Sequence, residues 1–154
     1  MEGIINKLPE ELRANYEMQA RKCSSVVECL KVAAALKLWV DRGYREIGFE
    51  VPSDFGGKTF FVDVLARDAD GMVGVECASR LHLGWLRWRV AQLRGCLPPK
   101  SWLVVVFPSS VDERVERVVG LADEVWIVGK DGTVERMMFT AVFHRERHHR
   151  QAKG

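Results

Sequence analysis

Two carboxylates stand inside stretches that are otherwise apolar: Asp63 within Phe60 to Ala66, and Glu76 within Met72 to Cys77. Both stretches are rich in Val and Phe, and Asp68-Ala69-Asp70-Gly71 between them is a turn signal, so the segment predicts a β-hairpin. With Ala69 and Asp70 as the loop, Asp63 lies opposite Glu76; with Asp70 and Gly71 as the loop, it faces Ala78. Side chains alternate along a strand, and the two registers differ by an even slip, so the acids share a face in either. Like charges so placed repel unless something positive lies between them. A divalent cation taking oxygen ligands, Mg²⁺ or Mn²⁺, meets that need, which makes Asp63 and Glu76 the candidate metal ligands. The simpler alternative is a solvated face on which both acids meet water.

The elements that would position them can be read on either side. Pro9 opens a charged helical segment running to Cys23, with acids in its first turn. A second helix, Ser25 to Asp41, is apolar over most of its surface and stops at Gly43. Ser25 and Glu28 have capping-box spacing at its start, and Ser110 and Glu113 repeat it at a later helix, Ser110 to Leu121. Strands are expected at Glu46 to Val51, Ser101 to Phe107, Glu124 to Val128 and Thr133 to Phe143. A helix from Arg80 to Arg94 links the hairpin to the buried strand at Ser101, which gives a right-handed parallel crossover. The expectation is a single α/β domain over 1–143, with a mixed central sheet flanked by helices and a basic flexible tail over 144–154.

That crossover helix is informative in its own right. Leu83, Leu86, Val90 and Leu93 share a face that should pack on the sheet. Arg80, Arg87 and Arg94 recur at heptad spacing beside Gly84 and Ala91, while Leu81, Trp85, Trp88 and Gln92 take the far side. Tryptophans on a second face must be buried by the domain, by another subunit in a homodimer, or by stacked nucleobases. Arginines beside tryptophans fit a nucleic-acid surface. The tail adds Arg145, Arg147, Arg150 and Lys153, a basic arm for phosphates or a solvated terminus; His144 and His148 lack the partners a metal site needs.

Composition sets the outer limits. The chain has 154 residues, 47% hydrophobic and 29% charged, enough for one real core. A net charge of +2 is too small to argue for nucleic acid by itself. No apolar run is long enough to span a membrane and the start has no signal-peptide core, so a soluble cytoplasmic protein is expected. Cys23, Cys29, Cys77 and Cys96 form no CxxC pair, which argues for reduced, largely buried thiols and against a metal-thiolate site. Scarce Asn and Gln with plentiful Val, Arg and Glu is a thermophile-like bias.

The order of elements, with an acid on the second strand and another on the third, resembles the restriction endonuclease-like PD-(D/E)xK nuclease superfamily over Ser25 to about Phe107. The resemblance implies a Glu on the helix before the sheet, an Asp on the second strand and Glu-x-Lys on the third; these fall on Glu28, Asp63 and Glu76. Gln92 in RVAQLRG matches a Gln found in some branches. The motif Lys is replaced by Ala78. Arg80 and Lys58 are the nearest cations in sequence, and an arginine can stabilise phosphoryl charge but is a poor base. The implied activity is a metal-dependent DNA nuclease or a diverged relative, with Asp63, Glu76, Glu28 and Arg80 at the reaction centre. Arg80, Arg87, Arg94, Trp85, Trp88, Gln92 and Lys58 would contact nucleic acid. The rival readings are a non-catalytic DNA- or RNA-binding protein of the same fold, and a protein–protein module using Trp85 and Trp88.

Overall fold

The computed structural model describes residues 2–111 and 113–140, so the basic tail lies outside the described residues. Two short helices, α1 (Glu2–Ile5) and α2 (Glu10–Glu17), precede the long α3 (Ser25–Val40). Six strands follow: β1 (Glu46–Phe55), β2 (Lys58–Asp68), β3 (Gly71–Cys77), β4 (Trp102–Pro108), β5 (Glu124–Val128) and β6 (Val134–Phe139). They form one sheet in chain order, antiparallel at both ends and parallel from β3 through β5. Helix α4 (Leu83–Cys96) makes the β3-to-β4 crossover. The fold is a mixed six-stranded α/β sheet flanked by helices. No helix among the described residues is long and apolar enough to cross a membrane.

Each face of the sheet carries its own core. Leu12, Tyr16, Leu30, Ala34 and Leu38 cover one face against Val64, Val75 and Val104; Leu86, Val90 and Leu93 cover the other against Leu103, Val105 and Val125. Residues two apart on a strand should serve the same core. At one place they do not: Phe49 and Val64 pack in the first core, while Val51 and Val62 pack in the second. The ribbon of β1 and β2 rolls over there, and the residue that turns it is Glu50, whose φ is 48° in the middle of a strand. A left-handed conformation costs a non-glycine residue about 1–2 kcal/mol.

Several elements differ from expectation. Strand β1 continues through Pro52 to Phe55, because an edge strand tolerates a proline that cannot donate to the ladder. The segment after Pro9 is helical only to Glu17, leaving 18–24 as an irregular connection. Helix α4 starts at Leu83: the His82 imidazole accepts from the Trp85 N–H at 3.0 Å as its cap, so Arg80 precedes the helix and does not extend its stripe. In place of a helix over Ser110 to Leu121 there is a 3₁₀ turn, Glu113–Val118, where β-branched valines favour α-helix poorly. The last strand spans Val134–Phe139, and positions 141–143 of the expected strand lie outside the described residues.

Candidate functional site: a row of buried carboxylates

The hairpin takes the first of the two registers. Asp68 pairs with Gly71 and Val64 with Val75, so one step further Asp63 lies across from Glu76. The Asp68 carboxylate accepts from the N–H groups of Asp70 and Gly71 and fixes the tight turn. On the other side of β2, Phe49 pairs with Val64 and Val51 with Val62, which sets Glu50 opposite Asp63. Three acids therefore form a row across β1, β2 and β3.

None of them is solvated. Glu50 is 1%, Asp63 5% and Glu76 3% exposed, which removes the reading of a water-facing strand surface. Buried charge needs compensation, and it comes from both sides of the sheet. From α4, Arg89 donates Nε to Glu76 Oε1 at 2.7 Å, Nη1 to Gln92 Oε1 at 3.4 Å and Nη2 to the Phe61 carbonyl, with its guanidinium 4.5 Å over the Phe60 ring. From α3, the fully buried Lys31 ammonium lies 2.6 Å from Glu28 Oε2 and 3.2 Å from Glu50 Oε2, and donates to Gln19 at 3.0 Å. From the α2–α3 connection, Arg21 Nε donates to Glu50 Oε1 at 2.6 Å while its guanidinium stacks on Phe61.

The charges then count as four carboxylates (Glu28, Glu50, Asp63, Glu76) against three cations (Arg21, Lys31, Arg89). The excess falls on Asp63. Burial first, and then the Glu76 charge, push its pKa well above the usual carboxylate range, although the Cys77 N–H donates to Oδ2 at 2.7 Å and works against the shift. Glu76 is also raised by burial, with Arg89 pulling it back. For Lys31 burial opposes the ammonium, yet the Glu28 bond and the Glu50 charge outweigh it and raise its pKa. Lys31 thus stays protonated and cannot act as a base near neutral pH.

Glu28 is a hub more than a cap. The cap of α3 is Ser24, whose hydroxyl accepts from the Val27 N–H at 3.4 Å. Glu28 accepts from Tyr16 Oη at 2.6 Å, Gln19 Nε2 at 2.9 Å and the Cys23 N–H at 2.8 Å, besides pairing with Lys31. These bonds, set against burial, hold its pKa below the usual range.

The structure brings Asp63 and Glu76 together, with Gln92 reaching them through Arg89. Arg80 and Lys58 are exposed, and neither takes the place of the missing motif Lys beside the acids; the cations there are Arg21, Lys31 and Arg89. Ala78 is buried just past β3, and its N–H donates to the Val106 carbonyl. Arg80 lines a cleft of about 440 Å³ with Val27, Cys77, Ala78, Ser79, His82 and Trp85, next to the Cys77 N–H that holds Asp63. On α4, Arg87 is exposed, Trp85 and Trp88 are 42% and 58% exposed, and Arg94 is tied to the Leu121 carbonyl at 3.3 Å and faces Asp123 at 3.9 Å.

Whether these residues suit the cation that the resemblance implies differs along the row. At Glu76 a divalent ion would compete with a buried arginine already bonded to the carboxylate. At Glu50 the fit is better: Oε2 is buried and accepts no hydrogen bond, its nearest cation being Lys31, whose ammonium is engaged with Glu28 and Gln19. Sequence reasoning missed Glu50, Lys31 and Arg89. Lys31 stands alone in an apolar helix three residues after Glu28, and Arg89 falls on the Leu86, Val90 and Leu93 face, so both positions carried a signal. Glu50 carried none, because Glu46, Gly48 and Glu50 alternate with apolar residues like any half-exposed strand.

No family model matches the chain, and no curated protein matches it. Solved structures do resemble it. One is an XisH family protein from Nostoc punctiforme, 16% identical, with a TM-score of 0.53 over 75% of this chain and 99% of that one. Another is an fdxN element excision controlling factor protein from Anabaena variabilis, 15% identical, with a TM-score of 0.50 over 74% of this chain and 98% of that one. At such identity the likeness is one of fold: this chain shares the architecture of these two structures across almost their whole length.

Proposed function

We propose that the protein acts on nucleic acid, DNA foremost, as a metal-dependent phosphodiesterase diverged from the PD-(D/E)xK pattern. The observation that carries this is the row Glu50, Asp63 and Glu76. Three acids from three strands are buried side by side, and one of them is held in a strained backbone conformation. Folding alone would favour apolar residues there, and strain with buried charge concentrates at functional sites. The excision-controlling role named for the Anabaena variabilis structure supports the same direction.

Asp63, with Glu50 or Glu76, would hold the cation, which when bound supplies a Lewis acid and a water of lowered pKa. Lys31, fixed by Glu28 and Gln19, keeps a positive charge beside Glu50 and so performs the electrostatic part of the missing motif lysine's work without its proton chemistry. Arg80 and His82 line the cleft beside Cys77, where a phosphodiester would approach. Arg87, Trp85 and Trp88 offer an exposed charged and aromatic strip for the backbone and bases of the same strand.

The test is cleavage of single-stranded, duplex and branched DNA in Mg²⁺ or Mn²⁺ by the wild type and Asp63→Asn. Wild-type cleavage abolished by the substitution is expected; equal cleavage by both would assign the activity elsewhere. A second reading, binding without cleavage, is favoured by one specific contact, the buried Arg89 on Glu76, which replaces a cation with a fixed side chain. Tight DNA binding with no cleavage in any metal would select it. Dimerisation through Trp85 and Trp88 is a further proposal, which sedimentation of the wild type and Trp88→Ala tests.

A further inference from the structure

The α2–α3 connection brings a thiol to the acids. Cys23 lies there, exposed, with Sγ 4.0 Å from Glu50 Oε1. One ligand atom each from Cys23, Glu50 and Asp63 all fall within 4.8 Å of one another. The spacing of cysteines in the sequence argued against a thiolate site, but the partners of Cys23 are carboxylates supplied by strands far along the chain.

We propose that Cys23, Glu50 and Asp63 form a transition-metal site that takes Zn²⁺ or Co²⁺ in preference to Mg²⁺. The proposal rests on the reading of the acidic row as a cation site and deepens it by naming the ligands and the class of metal. Three observations carry it. The first is the convergence of the three donors from a loop and two strands. The second is Glu50 Oε2, a carboxylate oxygen of a fully buried side chain that accepts no hydrogen bond and is compensated by the Lys31 ammonium at 3.2 Å. The third is the φ of 48° at Glu50, by which the strand turns that side chain into the row at a cost in backbone energy.

The chemistry of the set selects the metal. Oxygen-only sites suit Mg²⁺, which keeps several waters and binds a thiolate poorly; one sulfur with carboxylates suits the softer first-row ions. At metal–sulfur and metal–oxygen lengths of about 2.3 and about 2.1 Å, tetrahedral donors stand roughly 3.6 Å apart. The donors, all within 4.8 Å of one another, would have to draw in by no more than about an ångström. Arg21, on the same loop and with a side chain 53% exposed, is the group a metal would displace from Glu50 Oε1. Its removal takes one positive charge from the cluster as the ion brings two, and leaves the guanidinium free at the surface beside Phe61. Lys31, fixed by Glu28 and Gln19, would remain as the charged neighbour that limits the site to one ion.

The experiment is a titration of the full reduced chain with Co²⁺, followed by its absorption spectrum, with Mn²⁺ and Zn²⁺ affinities measured by calorimetry for wild type, Cys23→Ser and Glu50→Gln. The expected result is a thiolate-to-cobalt charge-transfer band in wild type that is absent in Cys23→Ser. Zn²⁺ affinity should fall in Cys23→Ser by at least the roughly 10–100-fold that even an outer-sphere change costs, with Mn²⁺ affinity falling less. Cys23 is exposed, so the serine variant should melt like the wild type. If Glu50→Gln is unstable, Cys23→Ala repeats the test without touching the core. Mn²⁺ and Co²⁺ binding with no charge-transfer band, unchanged in Cys23→Ser, would overturn the thiolate site and leave the carboxylate cation site standing. No binding of any of the three ions would overturn both.

Discussion

Replacing Arg89 with Met tests whether the acidic row is held together by the charges assigned to it. Arg89 is 8% exposed, and its guanidinium bonds Glu76 at 2.7 Å and also holds the Phe61 carbonyl and Gln92. Methionine keeps an apolar stem at this buried position but leaves the Glu76 carboxylate buried beside Asp63 without its counter-charge. Breaking one side of a buried pair costs about 3–5 kcal/mol. For a domain of this length each kcal/mol shifts the melting temperature by roughly 2–4 °C, so a fall of roughly 6–20 °C is expected. The double substitution Glu76→Gln with Arg89→Met removes the stranded charge and should recover most of the loss. Urea unfolding of the four proteins at neutral pH with chelator present gives the cycle, and a coupling of about 2 kcal/mol or more is expected. A loss under about 1 kcal/mol for Arg89→Met, or a double variant no better than the single one, would refute the charge accounting.

Other consequences are equally open to measurement. Asp63 has a raised pKa, so its contribution to stability is full below the unfolded carboxyl pKa and is lost as pH rises through the folded one. In metal-free protein the urea midpoints of wild type and Asp63→Asn should therefore coincide in acid and separate toward neutral pH, with the variant the more stable; the reverse order would make Asp63 a structural acceptor. Glu124 behaves oppositely. Burial opposes its charge, but the bonds from Arg42, Trp126 and Trp102 outweigh that and depress its pKa. Its stabilisation is present above the unfolded pKa and lost as pH falls through the folded one. Glu124→Gln should cost about 3 kcal/mol at neutral pH and close on the wild type in acid, and a constant gap across pH would contradict this. On α4, Arg87→Ala should lower the slope of log affinity for DNA against log salt by about one. Arg94→Ala should lower it less, because that side chain is tied to Leu121 and Asp123. Trp88→Ala, at an exposed position, should weaken single-strand binding without altering the melting temperature.

Much of the architecture was legible because it rests on local patterns. The Asp68 to Gly71 turn and period-two alternation fix the hairpin, and the apolar runs at Trp102 and Glu124 can only be buried strands. What failed were features decided by tertiary context. The cap of α4 at His82, which removes Arg80 from the helix, depends on a side-chain acceptor that periodicity does not weigh. Pro52 inside β1 depends on that strand being at the sheet edge. The site was half legible: an acid in an apolar strand stands out, as Asp63 and Glu76 did. Glu50 looks polar for an ordinary reason until the strand rolls over at that residue, whereas Lys31 and Arg89 each interrupt an apolar helix face, a signal whose meaning depends on the tertiary pairing with Glu50 and Glu76.

The central claim, that the row across β1, β2 and β3 is a cation site, is tested most directly by anomalous diffraction from a crystal of the protein soaked in Mn²⁺. A single peak in contact with the carboxylates of Glu50 and Asp63, with Lys31 still paired to Glu28 and Arg21 moved off Glu50, is the predicted result. A crystal with ordered Glu50, Asp63 and Glu76 side chains, Arg21 and Arg89 in place, and no peak among them at saturating Mn²⁺ would contradict the claim and leave the row as a buried charge network of the fold.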